Sequence, residues 1–352
     1  MLTSNEKNFF VNKKILIIGH TGFCGSWLTL ILSLFSKKIF GIALPPNRDQ
    51  KLFKLFNLKK KINSQFINIC DYKKLEVAIK KINPNIIFHL ASQPIVLESF
   101  KNPMNTFQTN VIGTSNILNI CRKIDNLKSM VIITSDKCYE NKENKNFFLE
   151  TDPLGGDDIY SASKACQEIV TNSYRKNYFF KKNISVSTAR AGNIIGGGDW
   201  TQNRLIPDFF KSFKSNKVLT IRNPKSVRPW QYILDVLCGY IKLSYAQYKN
   251  SKLQGAWNFG PLKKNQKTVF EVINLIKTIN PSFKKVKVKY KSLRVYESKV
   301  LNLNSIKANK FLNWKPKFNI EKNLKNTSDW YLVKKNKILD YSVKHIKDYY
   351  KI

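Results

Sequence analysis

The stretch Lys14-Ile15-Leu16-Ile17-Ile18-Gly19-His20-Thr21-Gly22-Phe23-Cys24-Gly25 decides the fold. Its first half is an unbroken aliphatic run, as suits a strand covered on both faces. Its second half carries three glycines spaced three apart and runs directly into an apolar helical segment that starts near Ser26. Three glycines in seven residues also suit an ordinary turn. Their place at the seam of a first strand and a first helix favours a dinucleotide site. There glycine tightens the turn, lets the backbone approach a pyrophosphate, and leaves the free N–H groups of a helix start facing the phosphates. Gly19, Thr21, Gly22, Phe23 and Gly25 are the candidate cradle.

Outward from this seam the pattern repeats. Strands are predicted over 14–19, 38–44, 65–69, 85–90, 129–134 and 184–190, with helical segments over 25–35, 72–82 and 106–125 between them. Strand, helix, strand repeated this often predicts an α/β, Rossmann-type doubly wound parallel sheet. After about residue 192 the pattern loosens into Gly- and Pro-containing segments, which predicts a smaller C-terminal lobe. The second strand ends in Gly41-Ile42-Ala43-Leu44-Pro45-Pro46, without the acid that usually takes an adenosine ribose hydroxyl, and Arg48 follows; charge alone leaves a ribose 2′-phosphate open. Asn68 and Ile69 follow the third strand, where an adenine edge would lie, although Asn68 equally suits a plain turn. Leu90, Ala91 and Gln93 end the fourth strand, beneath the expected diphosphate, and His89 reads as a core histidine.

Tyr160-Ser161-Ala162-Ser163-Lys164 sets a phenol and an amine four apart, on one helix face. The cation is expected to lower the phenol pKa, so that tyrosinate takes a hydroxyl proton as hydride leaves the same carbon. The spacing alone carries nothing. With 15 Tyr and 53 Lys in 352 residues, chance supplies about two such pairs, and Tyr178/Lys182, Tyr245/Lys249, Tyr248/Lys252 and Tyr331/Lys335 also fit. Tyr160 is singled out by following an apolar strand that ends in Thr134-Ser135-Asp136-Lys137, the edge at which a doubly wound sheet presents its chemistry. Hydride transfer needs only the Ser and the Tyr. An added acid and amine suggest an elimination, one group protonating a leaving hydroxyl and the other removing a proton acidified by an adjacent ketone. Lysine as that base requires a lowered pKa, which burial and the neighbouring Lys164 would give. An exposed Asp-Lys turn is the plain alternative.

The GxxGxxG spacing resembles the extended short-chain dehydrogenase/reductases. Thr134 to Glu140, Asp152 to Gly156, Tyr160 to Lys164, Ala189 to Trp200, Val227 to Gln231 and Trp257 to Pro261 together resemble the CDP-glucose 4,6-dehydratase family, in that family's order. Related dTDP-glucose enzymes carry Asp-Glu where this chain has Asp136-Lys137. Cys24 stands where the family often has Lys, Asn68 where Asp is common, and the last 90 residues match loosely. The resemblance implies NAD as cofactor, held by the cradle with Asn68, Ile69, Leu90, Ala91, Gln93, Thr134, Tyr160 and Lys164. It implies Ser135, Asp136, Lys137, Tyr160 and Lys164 as catalytic residues, and Gln93, Asn193, Arg204, Leu205 and Arg228 as contacts to a nucleotide sugar, CDP-glucose. Trp200 or Trp230 could stack on the base, with core packing the favoured role for at least one of them. It divides the chain into an NAD-binding domain, 1–192 with part of 231–256, and a nucleotide-sugar lobe, 193–230 with 257–352. It further implies a cytoplasmic homodimer or higher homo-oligomer, serving deoxysugar biosynthesis for lipopolysaccharide O-antigen.

Composition bears on the partners. The chain carries 61 Lys+Arg against 23 Asp+Glu, a formal charge of +38. Nucleic acid or an anionic membrane is the obvious reading. However, only eight of the basic residues are Arg, the residue that reads phosphates and bases bidentately, and the Lys, Asn, Ile and Phe enrichment matches A/T-rich codons. Surface drift is the preferred reading, with no nucleic-acid or membrane partner. A basic nucleic-acid-binding protein on a degenerate scaffold, or a nucleotide-sugar epimerase or dehydratase of other base specificity, are the alternatives. The six cysteines are scattered without CxxC and read as reduced thiols, and His20, His89 and His345 stand at no ligand spacing, so no metal is expected. The N-terminus lacks a signal-peptide pattern.

Overall fold

The computed structural model describes residues 1–141, 147–262, 265–291 and 301–352. The run that opens the argument forms β1 (Ile15–Ile18), fully buried, with Ile15 and Ile17 in the apolar cluster on one face of the sheet and Leu16 and Ile18 in the cluster on the other. β2 (Ile39–Ala43), β3 (Asn63–Phe66), β4 (Ile86–His89), β5 (Ser129–Ile133), β6 (Ser185–Ala191) and β7 (Gly255–Phe259) complete a seven-stranded sheet in the order β7-β6-β5-β4-β1-β2-β3. Every pairing is parallel. This is the doubly wound sheet read from the sequence, with its order reversing between β1 and β4.

Three elements sit differently from expectation. The third strand runs over Asn63–Phe66, not 65–69: it is the sheet edge, paired only with β2, so it needs little apolar character. The aliphatic residue that suggested the later span, Ile69, instead packs in the cluster formed with Leu75, Ile79 and Ile117. The segment predicted over 106–125 begins at Pro103, a residue suited to a first helical turn, widens into a π-helical stretch over Gln108–Ile112, and ends as an α-helix over Gly113–Cys121. The first crossover helix spans Phe23–Ser33, with Gly22 at its N-cap.

Beyond residue 192 three short pairings project from the sheet: Ile194–Ile195 with Gln231–Tyr232, Leu219–Arg222 with Val288–Lys291, and Val227–Pro229 with Gln266–Thr268. The helix Ile233–Lys249 returns to cover β5 and β6, and β7 pairs with Ser187–Ala191 along its whole length, across the expected boundary at 256/257. One apolar core joins these parts: Trp27 and Trp257 beside the sheet belong to the same cluster as Phe209, Phe283 and Trp330 from the later segments. Among the described residues no helix is long and apolar enough to cross a membrane.

Candidate active site

Parallel strands bring their C-terminal ends to one edge, and the order reversal opens a crevice there. Leu90 and Ala91 N–H groups both donate to Ile18 O, at 2.7 and 2.9 Å, which clasps the ends of β1 and β4 together at the reversal. A cavity of about 720 Å³ follows this edge. Gly19 sits at φ +97°, and a Cβ there would lie 2.5 Å from Ala91 N; a Cβ on Gly25 would lie 2.0 Å from Gly19 O. No side chain fits at either place, and none caps the helix start at Gly22. The cradle therefore presents bare backbone and a helix N-terminus to the cavity, an arrangement that fits a pyrophosphate.

Trp200 apart, every residue expected to hold cofactor or substrate lines this cavity, and so do the five expected catalytic residues. Several of them are committed elsewhere as well. The Thr21 hydroxyl donates to Leu44 O at 3.1 Å, tying the cradle to the end of β2. Asn68 is both things at once: its Oδ1 closes a turn onto the Cys70 N–H at 2.9 Å, and the residue faces the cavity. The Gln93 amide closes its own loop, accepting from Ile95 N–H at 2.6 Å and donating to Ile95 O and Thr106 Oγ1. At the ribose end Arg48 is exposed and does not line the cavity, whereas Asp49 and Gln50 do. Asp49 escapes a sequence reading because it lies six residues past the strand end, in a loop without periodicity.

The reactive groups come from two elements. Tyr160 and Lys164 sit on the helix Ile159–Tyr174, capped by Asp158, whose side chain accepts from Ser161 N–H. Ser135, Asp136 and Lys137 sit on the turn that leaves β5. The Ser135 hydroxyl donates to Asp136 Oδ1 at 2.9 Å, accepts from Lys137 N–H at 3.2 Å, and is hydrogen-bonded to the Tyr160 phenol. Burial pushes the Asp136 carboxyl above the usual carboxylate range, against the pull of Lys137, the Ser135 hydrogen bond and Arg228. Such a carboxyl is disposed to carry a proton.

Two expectations need correction. The phenol is not acidified by its lysine. Burial pushes Tyr160 up to about 12, and the chief influence opposing this is the Ser135 hydrogen bond. The Lys164 ammonium lies 5.9 Å from the phenol ring centroid and donates instead to Gln167 Oε1 at 3.0 Å; burial pulls it down to about 8. Gln167 in turn donates to Thr114 Oγ1, which also pairs with His89 Nε2 at 2.9 Å, so His89 is a buried, neutral core histidine. Nor is Lys137 enclosed as its expected role as base suggested: it is half-buried.

At the other end of the cavity Arg204 Nη1 pairs with Asp199 Oδ2 at 3.1 Å, Leu205 begins the helix Leu205–Ser215, and Arg228 lies on the short strand Val227–Pro229. Trp230 lines the cavity with its indole N–H bound to Lys267 O; Trp200 does not line it and packs edge-on against Tyr331. One group of residues had no assigned role in the sequence. Glu168 and Arg190 form an ion pair at 2.7 Å, each side chain 3% exposed. Glu168 accepts from Thr134 Oγ1 at 2.6 Å and Thr188 Oγ1 at 2.7 Å, so the Thr134 hydroxyl is turned into this pair and only its main chain is left for the cavity. Arg190 Nη1 donates to the Tyr139 hydroxyl at 2.7 Å.

The family model for GDP-mannose 4,6-dehydratase matches residues 16–327. The chain belongs to the GDP-mannose 4,6-dehydratase family. It is 37% identical over 352 residues to the CDP-glucose 4,6-dehydratase of Salmonella typhimurium, an alignment covering 98% of each protein. A solved dTDP-glucose 4,6-dehydratase from Bacillus anthracis, in complex with NAD, superimposes with a TM-score of 0.74 at 25% identity, over 90% of this chain and 96% of that one. The fold extends to a Bacillus cereus UDP-glucuronic acid 4-epimerase, TM-score 0.78 at 20% identity over 90% of this chain and 98% of that one. Family membership agrees with the resemblance read from the sequence.

Proposed function

We propose that the protein is an NAD-dependent hydro-lyase that converts CDP-glucose into CDP-4-dehydro-6-deoxyglucose and water. The observation that carries this reading is the meeting of Tyr160, Ser135, Asp136 and Lys137 in one cavity with a bare-backbone cradle. The near full-length similarity to a CDP-glucose 4,6-dehydratase supports the choice of sugar nucleotide. Asp49, and not Arg48, at the ribose end supports NAD over its 2′-phosphorylated form.

Gly19, Thr21, Gly22, Phe23 and Gly25 would hold the pyrophosphate of NAD, Asn68 and Ile69 its adenine, and Leu90, Ala91, Gln93, the main chain of Thr134, Tyr160 and Lys164 its nicotinamide half. NAD held there would supply a hydride acceptor for C4 of the glucose and, once reduced, a hydride donor for C6. Tyr160 accepts the C4 hydroxyl proton in its phenolate form, which a cationic nicotinamide ring beside it would favour against the effect of burial, and Ser135 holds the oxygen that becomes the ketone. That ketone acidifies the C5 hydrogen, which Lys137 removes, while Asp136 gives its proton to the departing C6 hydroxyl, which leaves as water; Lys137 returns a proton to C5 as hydride reaches C6, and the C4 hydroxyl proton taken by Tyr160 restores Asp136 by way of solvent, so the net loss is one water. Arg204 and Arg228 suit the substrate diphosphate through charge and fork geometry, with Asn193, Leu205 and Gln93 beside it.

In this reading residues 1–192 with part of 231–256 hold NAD, and 193–230 with 257–352 hold the nucleotide sugar. A homodimer or higher homo-oligomer through the helices beside the sheet is supported by apolar side chains left in water there, Met104 at 77%, Ile112 at 52% and Ile169 at 56% exposed. Six free cysteines support a reducing, cytoplasmic setting, and the product suits deoxysugar biosynthesis for an O-antigen. Incubating the purified protein with CDP-, dTDP-, UDP- and GDP-glucose and following the base-induced absorbance of a 4-keto product tests the reading. Product from CDP-glucose alone is expected. Product from another nucleotide reassigns the base, and an epimer without loss of water removes the lyase.

A further inference from the structure

The turn that carries Ser135, Asp136 and Lys137 is short, and both of its ends lead to the same buried pair. At its start the Thr134 hydroxyl donates to Glu168 Oε1 at 2.6 Å. At its end the Tyr139 hydroxyl accepts from Arg190 Nη1 at 2.7 Å and donates to Asn258 Oδ1 at 2.7 Å, while the Arg190 guanidinium also lies 4.8 Å from the Tyr139 ring centroid. Glu168 and Arg190 close the circuit with their own bond of 2.7 Å. Thr134, Tyr139, Glu168, Arg190 and Asn258 are all buried. The elements joined are four: the helix bearing Tyr160 and Lys164 supplies Glu168, β6 supplies Arg190, β7 supplies Asn258, and the turn leaves β5.

We infer that the Glu168–Arg190 ion pair is a positioning device for the acid–base pair Asp136–Lys137, holding the turn at both ends and fixing it relative to the helix of Tyr160. Two charges taken out of water are a poor way to gain stability, because desolvation consumes much of their attraction. What they provide here, and an apolar pair of similar volume does not, is two hydrogen-bonding ends that locate hydroxyls five residues apart in sequence on one rigid frame. Burial by itself would raise the Glu168 carboxyl; Arg190 and the two threonine hydroxyls reverse this and keep it below its ordinary value, so the pair stays charged. Tyr160 lies outside the turn, on a helix that keeps its own capping and packing. Ser135, which serves the C4 step, shares the turn with Asp136 and Lys137, so loosening the turn slows both steps and weakens the C5/C6 elimination, which uses two of its groups, more than the C4 oxidation. This step of the argument rests on the dehydratase reading; the holding of the turn does not.

Thr134→Val and Tyr139→Phe each remove one hydroxyl and leave the ion pair and the shape of the core in place. The first measurement needs no substrate: hydrogen–deuterium exchange of the 135–139 backbone amides. Exchange at least ten-fold faster in each variant, with the Ile159–Tyr174 helix unchanged, is expected; exchange equal to wild type overturns the inference. The second is single turnover with CDP-glucose, reading NADH appearance separately from 4-keto-6-deoxy product. Both steps slowed, the elimination at least about three-fold more than the C4 oxidation, and a double variant less damaging than the product of the two singles are expected, because both hydroxyls act through one pair. Equal loss in both steps, or wild-type rates in a loosened turn, overturns it. If wild type makes no product from CDP-glucose, the functional reading falls, and the exchange experiment still decides whether the pair holds the turn.

Discussion

Replacing Lys164 with Met should make the protein more stable at neutral pH while removing its ability to hold NAD. Lys164 is 1% exposed, and burial pulls its ammonium from the ordinary 10.5 to about 8. At about 1.36 kcal/mol per pH unit that difference is a cost of roughly 3 kcal/mol for keeping the charge inside. Methionine fills the space without a charge but leaves Gln167 Oε1 without the donor it now has at 3.0 Å, which returns about 1–2 kcal/mol. A net gain of about 1–2 kcal/mol remains. The folded value lies below the unfolded one, so between about 8 and 10.5 the unfolded chain binds the extra proton. Wild-type stability from this group therefore rises as pH climbs through that window, and the advantage of Lys164→Met shrinks across it. Urea unfolding of NAD-free wild type and variant at pH 7 and pH 9.5 measures this. A variant weaker than wild type at pH 7, or an advantage that does not narrow at pH 9.5, refutes the reasoning. The exchange of stability for a site is the expected relation where a charged group is buried for chemistry.

Other outcomes follow from the same geometry. Lys137→Ala should bind NAD within about two-fold of wild type by titration yet release no water from CDP-glucose; near wild-type turnover would refute its role as the base. Gly25→Ala places a Cβ 2.0 Å from Gly19 O, so NAD affinity should fall by about 100-fold or more and thermal stability should drop, both readable by a melting curve with and without NAD. Arg190→Met strands the buried Glu168 carboxylate and should cost about 3–5 kcal/mol in urea unfolding, while adding Glu168→Leu recovers part of the loss; an additive double variant would contradict a coupled pair.

The sheet was legible because its strands are buried on both faces and read as continuous aliphatic runs, and because glycine spacing at the first seam has few other physical causes. The edge strand β3 was displaced by two residues in the reading, since an edge needs no such run and Ile69 attracts the eye although it belongs to the next layer. Residue identity placed the reactive side chains at one edge, but their electrostatics were not in the sequence. That burial raises Tyr160, opposed chiefly by Ser135 and not by Lys164, depends in part on where an ammonium with several rotamers turns, and Gln167 at i+3 decides it. Glu168 and Arg190 were invisible for a similar reason: an acid and a base 22 residues apart become a pair only once a helix and a strand are packed together. The charge of +38 gave the least, because lysines spread along a chain report composition before function.

The apolar core that joins Trp27 and Trp257 to Phe209, Phe283 and Trp330 has a consequence for how ligand occupancy is felt. Segments packed into one such core, though far from the crevice, share with the segments beside the crevice those openings that break the core itself. NAD bound at the cradle should then shield the helices Ile306–Leu312, Ile320–Leu332 and Ile338–Tyr350 from protease in those openings as strongly as it shields the strand ends beside it, at residues it never touches.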